Sequence, residues 1–194
     1  MRAQGQPEDP FMHWRDVEDG ALLEHAANEQ PGAVEELVAR FGDRLCSYLM
    51  RVVRDRAWAE DLVQEVFLRA LQEAHRYDPN WPLRVWLFRI GRNIALDLLR
   101  SEAGHRARAQ SQPAPITAPA AITTAEHREF QVALESALQR LPEEFRSVFL
   151  LREGESLSYD EIGAVLNISS KTVSSRLHRA RQQLRTFLQP HIEQ

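Results

Sequence analysis

Residues 157–181 of the chain read LSYDEIGAVLNISSKTVSSRLHRAR, and this stretch determines the fold class of the C-terminal part. Ser158 and Glu161 stand three positions apart, the spacing of a capping box, in which each side chain bonds the backbone N–H of the other residue. Asn167 tolerates the left-handed backbone conformation in which a chain leaves a helix. The first half of the stretch therefore predicts one short helix between these two signals.

A second helix is predicted to follow at once. Ser169 or Ser170 can cap its N-terminus, so the connection is about three residues long, as in a helix-turn-helix. At helical spacing one face is apolar and consists of Val173, Leu177, Ala180 and Leu184. The opposite face is polar or basic, and no Asp or Glu occurs from Ile168 to Arg185. Because small polar groups suit base edges and arginines suit phosphates, this helix is predicted to enter a DNA major groove.

The predicted DNA contacts lie on the second helix. They are Ser170, Lys171, Thr172, Ser174, Ser175, Arg176, His178, Arg179 and Arg181. Arg176 lies close to the buried edge, so an ion pair with Glu161 or Asp160 is an equally good interpretation. The alternative for the whole face is an ordinary solvated basic surface. The cap, the short turn and the acid-free run favour DNA binding.

Length and composition limit the possible classes of function. The 194 residues suffice for one or two small domains, and a net charge of −4 requires any nucleic-acid binding to come from local patches. The one cysteine, Cys46, has no disulfide partner and is predicted to be a buried structural thiol. Without a signal peptide or a long apolar run, we expect a cytoplasmic protein with no membrane insertion. We find no motif for catalysis, so no enzyme activity, metal or cofactor is expected.

The periodicity along the chain predicts an all-α protein of two small helical bundles joined by a flexible linker. We expect a flexible tail over residues 1–15 and a helical domain over 16–100. A linker rich in Ala, Pro, Ser, Gln and Thr is predicted over 101–124. A second helical domain, ending in the helix-turn-helix, is predicted over 125–194.

Helix boundaries are marked by local signals. In the first domain Asp55 can cap the third helix, residues Tyr77–Pro82 form a loop, and the fourth helix is expected from about Leu83 to Arg100. In the second domain Thr123 and Glu126 offer another capping box. Pro142 is predicted to open the next helix and Gly154 to end it.

Two helical bundles, a linker and a terminal helix-turn-helix resemble a bacterial sigma factor. AEDLVQEVFLRA (59–70) resembles the second conserved part of sigma region 2, and WLFRIGRNIALDLLR (86–100) resembles the stretch that meets the −10 promoter element. LPEEFRSVFLLRE (141–153) and the helix-turn-helix resemble region 4, which meets the −35 element. The spacing leaves no room for regions 1.1 or 3. The resemblance is therefore to the extracytoplasmic-function (ECF), or group IV, sigma factors, and it covers nearly the whole chain.

This resemblance implies a function and a set of partners. The chain would direct core RNA polymerase to specific promoters and initiate transcription of a stress or envelope-type regulon. The implied partners are promoter DNA, an anti-sigma factor, and the β′ clamp helices and β flap of the polymerase. The residues implied to bind polymerase are Asp61, Gln64 and Glu65. Those implied to bind the −10 element are Tyr77, Asn80, Trp81, Arg89 and Asn93, and the nine helix-turn-helix residues would bind the −35 element.

Two departures from the family pattern are visible. Primary sigma factors have two adjacent tryptophans that open the duplex, whereas this chain has Trp86 followed by Leu87, which implies weaker melting. Many relatives have Pro and Gly where this chain has Ser169 and Lys171. Because Lys171 replaces a residue of the family pattern, the promoter sequence of this chain does not follow from that of its relatives.

A rival interpretation is a helix-turn-helix transcription regulator that binds operators without being a polymerase subunit. It would need a receiver or ligand domain, and residues 19–100 show no strand–helix alternation. A helical interaction module would leave the acid-free basic helix unexplained. Direct binding of the chain to core polymerase would distinguish these interpretations.

Overall fold

A computed structural model describes residues 14–106 and 125–192, with side-chain surroundings for 14–101 and 129–189. Every regular element in these ranges is helical, which confirms the all-α prediction. Internal contacts divide the chain into two compact units, Met1–Ala114 and Pro115–Gln194. The described helices include none with the length and apolar character needed to cross a bilayer.

The first unit is a bundle in which α2 packs against the other long helices. Its described elements are α1 (Asp19–Ala27), α2 (Ala33–Val53), α3 (Arg56–Gln72), a 3₁₀ turn (Ala74–Arg76) and α4 (Leu83–Arg106). Asp55 caps α3 as predicted, because its Oδ1 accepts a hydrogen bond from the backbone N–H of Trp58 at 3.0 Å. The helix α4 continues past Arg100, where the sequence predicted its end.

The core of the first unit forms where α2, α3 and α4 meet. The ring of Tyr48 on α2 stands edge-on to that of Phe88 on α4, with the ring centres 5.2 Å apart. Gly91 lets α4 approach α3 closely, since a Cβ atom there would stand 3.2 Å from Cγ2 of Val66. This close packing holds α3 and α4 in a fixed relation, so their outward faces present residues at defined positions.

Arg40 of α2 ties down the segment that precedes α1. Its guanidinium donates hydrogen bonds to three backbone carbonyl oxygens and two carboxylates, and the acceptors belong to Trp14, Arg15, Val17, Asp19 and Glu36. Trp14 also donates from Nε1 to the carbonyl oxygen of Pro31 at 3.0 Å. Residues 14 and 15, which belong to the predicted flexible tail, are therefore attached to the bundle.

The second unit surrounds one long helix. Its elements are α5 (Ala125–Arg140), α6 (Glu143–Phe149), a π-helical turn (Leu150–Gly154), α7 (Tyr159–Leu166) and α8 (Ser170–Ile192). Pro142 precedes α6 as predicted, but the backbone changes from α to π geometry at Leu150 before it reaches Gly154. The helix α8 packs against α5, α6 and α7. The predicted capping box of Thr123 and Glu126 lies outside the residues whose side chains are described.

Candidate nucleic-acid interface

The helix-turn-helix is built from local bonds that the sequence predicted. The capping box is present: Ser158 N donates to Oε2 of Glu161 at 2.7 Å, and Glu161 N donates to Oγ of Ser158 at 3.2 Å. Asn167 has the left-handed conformation, with φ 55° and ψ 50°. Of the two candidate serines, Ser169 caps α8, since its Oγ accepts the N–H of Thr172 at 3.2 Å. Three residues separate α7 from α8, as predicted.

The helix α8 separates a buried stripe from an exposed strip. Val173, Leu177, Ala180 and Leu184 are buried, as predicted. We define the reading strip as the exposed residues Lys171, Ser174, Ser175, His178 and Arg179. Within the described part of the chain, no ion pair occupies Lys171, His178 or Arg179. Ser170 and Thr172 are half-buried in the first turn. The structure thus brings five of the nine predicted DNA-contacting side chains, those of the reading strip, onto one exposed face of α8.

Two arginines of α8 are paired inside the unit. An Nη2 atom of Arg176 lies 2.8 Å from Oε2 of Glu144 on α6, so the predicted pairing with Glu161 or Asp160 is wrong. Glu161 is engaged in the capping box, and Asp160 accepts a hydrogen bond from Ser170.

The second pair joins Arg181 to the π-helical turn. Its Nη2 atom lies 2.6 Å from Oε1 of Glu153. This hydrogen bond is the largest cause that raises the pKa of Arg181 above its usual value. Both side chains remain about half exposed. Sequence reasoning missed Glu144 and Glu153 because their contacts with α8 depend on how separate helices pack, which sequence spacing does not show.

The loop before α4 is held by its own side chains. The hydroxyl of Tyr77 donates to the carbonyl oxygen of Trp81 at 2.7 Å, and Oδ1 of Asp78 accepts from both N and Nδ2 of Asn80. Trp81 is 36% exposed. Burial raises the pKa of the Tyr77 hydroxyl above its usual value. The ring of Tyr77 packs against that of Trp86, with the ring centres 5.6 Å apart, so Trp86 supports the loop.

Arg89 and Asn93 follow this loop on α4. Both are exposed, and their spacing of four residues puts them on one face of the helix. The buried Leu83, Leu87 and Phe88 fix the opposite side of α4. A basic and an amide side chain are therefore presented side by side on a rigid helix.

The residues predicted to bind polymerase lie on the outer face of α3. Asp61 and Gln64 are exposed, while Glu65 pairs with Arg69 at 3.0 Å between Oε1 and Nη2. Leu68 lies one turn beyond Gln64 and is 57% exposed. Sequence reasoning did not select Leu68, although its position off the buried stripe of this helix was a usable signal.

Two other features carry no evident chemistry. A groove of about 550 Å³ runs between α1 and the 3₁₀ turn, and Glu18, Glu24 and His75 are among its lining residues. Cys46 is half-buried instead of fully buried. The described residues include no group of three or more His, Cys, Asp or Glu arranged to hold a metal ion.

Comparison with known proteins matches both units to one family. The Sigma-70 region 2 family matches residues 37–105, and the Sigma-70 region 4 family matches residues 131–184. The chain is 37% identical over 160 residues to the ECF RNA polymerase sigma factor SigE of Mycolicibacterium smegmatis, covering 81% of this chain and 62% of that protein. It is 35% identical over 156 residues to the RNA polymerase sigma factor CarQ of Myxococcus xanthus, covering 80% of this chain and 89% of CarQ.

Solved structures show the same fold. CnrH, in complex with the cytosolic domain of CnrY, is 29% identical with a TM-score of 0.66, covering 89% of this chain and 97% of that chain. RpoE of Bartonella quintana, in complex with the anti-sigma factor NepR, has a TM-score of 0.70 at 22% identity, covering 80% of this chain and 96% of that chain. The two matched regions, their order along the sequence and the similarity to CarQ and SigE show that the chain belongs to the ECF RNA polymerase sigma factors.

Proposed function

We propose that this sigma factor directs core RNA polymerase to specific promoters, with the first unit recognising the −10 element and the helix-turn-helix recognising the −35 element. The observation that carries the proposal is the reading strip, a basic surface free of acidic residues on a helix whose other face is buried. In this role the chain positions polymerase on DNA and performs no catalysis itself. The domain limits 1–15, 16–100, 101–124 and 125–194 are part of the proposal, except that residues 14 and 15 are attached to the first unit and α4 extends to Arg106.

For the −35 element, we propose that the reading strip enters the major groove of the duplex. The short polar chains of Ser174 and Ser175 allow close approach to base edges, and His178 and Arg179 offer hydrogen bonds to bases. Lys171, in the first turn, supplies charge for a phosphate, together with the backbone N–H groups of the helix N-terminus. Ser170 and Thr172 lie beside it, and Arg181 lies on the flank for a second phosphate contact.

For the −10 element, we propose that the loop from Tyr77 to Trp81 receives an unstacked base. Trp81 offers a partly exposed ring for stacking, and Asn80 offers an amide for the edge of a base. Arg89 and Asn93 extend this surface along α4 and contact the same strand. The bonds of Tyr77 and Asp78 support the proposal because they hold the loop in shape before DNA arrives.

For polymerase, we propose that Asp61, Gln64 and Glu65 bind the β′ clamp helices. Leu68 adds an exposed apolar group beside these polar residues, and an apolar centre with a polar rim is typical of protein interfaces. We further propose that the second unit binds the β flap. The contacts within α3 support a rigid docking face, since Glu65 is already oriented by Arg69.

We also propose that an anti-sigma factor holds this chain inactive in the cytoplasm until a stress or envelope signal releases it. RpoE of Bartonella quintana was solved in complex with the anti-sigma factor NepR, and CnrH in complex with the cytosolic domain of CnrY. Exposed apolar side chains support the proposal, because Leu68 in the first unit and Val132 in the second are available for burial against another protein.

The decisive experiment is run-off transcription with core polymerase on genomic fragments. The wild-type chain is expected to give discrete transcripts, and the double variant Gln64→Ala with Glu65→Ala is expected to give none while keeping its helical content. The matched control is Gln30→Ala with Glu35→Ala, which removes two exposed side chains from the same unit. Sequence-specific duplex binding without transcripts or polymerase association would favour the rival operator-binding regulator.

A further inference from the structure

Arg176 lies at the edge of the buried face of α8, away from most of the reading strip. Successive helical residues are separated by about 100°, so around the helix axis Arg176 stands about 140° from Lys171 and about 160° from His178, but about 60° from Arg179. Its side chain is 27% exposed, whereas the reading strip is open to solvent. Arg176 therefore faces the body of the second unit.

Its partner belongs to a different helix. Glu144 lies in the first turn of α6, and its Oε2 receives the guanidinium of Arg176 at 2.8 Å. The neighbouring Glu143 is directed elsewhere, since its Oε1 accepts a hydrogen bond from Oγ of Ser147 at 2.6 Å. This contact links the edge of α8 to the first turn of α6 at one point. The pair therefore restrains the rotation of α8 about its own axis, in addition to the packing of the two helices.

We propose that Arg176 and Glu144 are positioning residues for −35 recognition, and that Arg176 acts through Glu144 instead of touching DNA. This inference rests on the proposed function of the helix-turn-helix. A rotation of α8 would move every residue of the reading strip relative to the groove floor. Base contacts depend on that rotation more than phosphate contacts do, so the pair is expected to affect sequence preference before it affects overall affinity.

A charge exchange tests this inference in the holoenzyme of full-length chain and core polymerase. The probes are a promoter fragment recovered by wild-type run-off transcription and the same fragment with its −35 element replaced. The measured quantities are the ratio of the two affinities and the slope of affinity against salt. The variants are Arg176→Glu, Glu144→Arg and both together. The matched control is Arg179→Glu, made with and without Glu144→Arg, because it reverses a charge on the reading strip.

Each single exchange at the pair is expected to lower the affinity ratio about two- to fivefold, the effect of losing a partly exposed ion pair. The double exchange restores the pair and is expected to return the ratio to within about twofold of wild type, with an unchanged salt slope. Glu144→Arg is not expected to rescue Arg179→Glu. The milder variants Arg176→Gln and Glu144→Gln, checked by thermal melting, are expected to lower the ratio equally, with no further loss when combined.

Two results would overturn the inference. The first is that the double exchange lowers the affinity ratio as much as Arg176→Glu alone and also reduces the salt slope by about one unit. That result would make Arg176 a phosphate contact. The second is that Arg176→Gln and Glu144→Gln fold normally and keep the wild-type affinity ratio. If the wild-type holoenzyme shows no preference for the intact −35 element, the proposed function itself fails and the inference fails with it.

Discussion

The α-carbon of Gly163 on α7 lies against the carbonyl oxygen of Ile168 in the turn before α8, so that a Cβ atom at residue 163 would stand 2.7 Å from that oxygen. The backbone N–H of Ile168 also donates to the carbonyl oxygen of Gly163 at 3.0 Å. The two backbones can approach in this way only because residue 163 has no side chain. This contact sets how closely the turn folds back onto α7.

Gly163→Ala is expected to destabilise the second unit by about 1–3 kcal/mol, because the added methyl group must displace backbone atoms that cannot swing aside. Urea unfolding followed by circular dichroism measures the change. Gly154→Ala is the control, since a Cβ atom there meets nothing within 4 Å. Equal stability of the two variants would contradict the proposed close contact.

Glu153→Gln is expected to strengthen duplex binding. Loss of the carboxylate frees Arg181 for a phosphate, so the salt slope of binding should steepen by about one unit. Fluorescence anisotropy of the full chain on a duplex with the −35 element, over a salt series, measures this. Glu60→Gln makes the same charge change in the first unit, where Glu60 pairs with Arg56 at 2.8 Å. If both variants bind alike, Arg181 is not the group released.

Leu68→Ala is expected to weaken polymerase binding by about 1–2 kcal/mol, because it removes an apolar group at the proposed interface. The free energy of unfolding should change by less than about 0.5 kcal/mol, since the side chain is mostly exposed. Titration of labelled chain with core polymerase measures the affinity. Val38→Ala, at a residue that is 43% exposed on α2 of the same unit, is the control. A similar loss for both would assign the effect to general surface hydrophobicity.

Arg40→Ala is expected to release the segment before α1 and to lower the free energy of unfolding by about 1–3 kcal/mol, because charged hydrogen bonds in a partly buried site are lost. Limited trypsin digestion should cut after Arg15 faster than in the wild type. Arg56→Ala removes one exposed ion pair and should leave the free energy of unfolding close to that of the wild type. Unchanged cleavage after Arg15 would show that other contacts hold the segment.

Cys46 gives a pH-dependent test of burial. Desolvation is the largest cause that raises the pKa of its thiol, followed by the negative charge of Glu60, and Arg56 opposes them. Because a raised pKa leaves less thiolate at a given pH, alkylation by iodoacetamide should be slower in the folded chain than in the urea-unfolded chain. The increase of the alkylation rate with pH should also occur at a higher pH in the folded chain than in the unfolded chain. Equal pH profiles in the two states would contradict the stated environment.

The sequence predicted best what depends on neighbours along the chain. The capping box at Ser158, the left-handed Asn167 and the cap at Asp55 each involve bonds within a few residues, so spacing alone identifies them. The separation of α8 into a buried and an exposed face also followed from periodicity, because the helix repeat fixes which residues share a side. The hydrogen bonds that Asn80 donates to the Asp78 carboxylate are equally local and belong to the turns that Asp commonly forms.

Contacts between helices could not be predicted in the same way. The pairs Arg176–Glu144 and Arg181–Glu153 depend on how α6 and the π-helical turn pack against α8, and sequence spacing contains no such information. The nearby acids of α7 were therefore the natural but incorrect partners for Arg176. The assignments of Asp61, Gln64, Asn80 and Trp81 to polymerase and DNA stay predictions until binding is measured.

The two faces of α8 have no residue in common: the side chains that fill the interior of the unit are all different from those of the reading strip. If the reading strip selects the −35 sequence as proposed, its residues can change during evolution, and with them the promoters that are recognised, while the buried residues keep the fold. The same separation would allow the reading strip to be exchanged in engineered regulators of different specificity while the buried residues are kept.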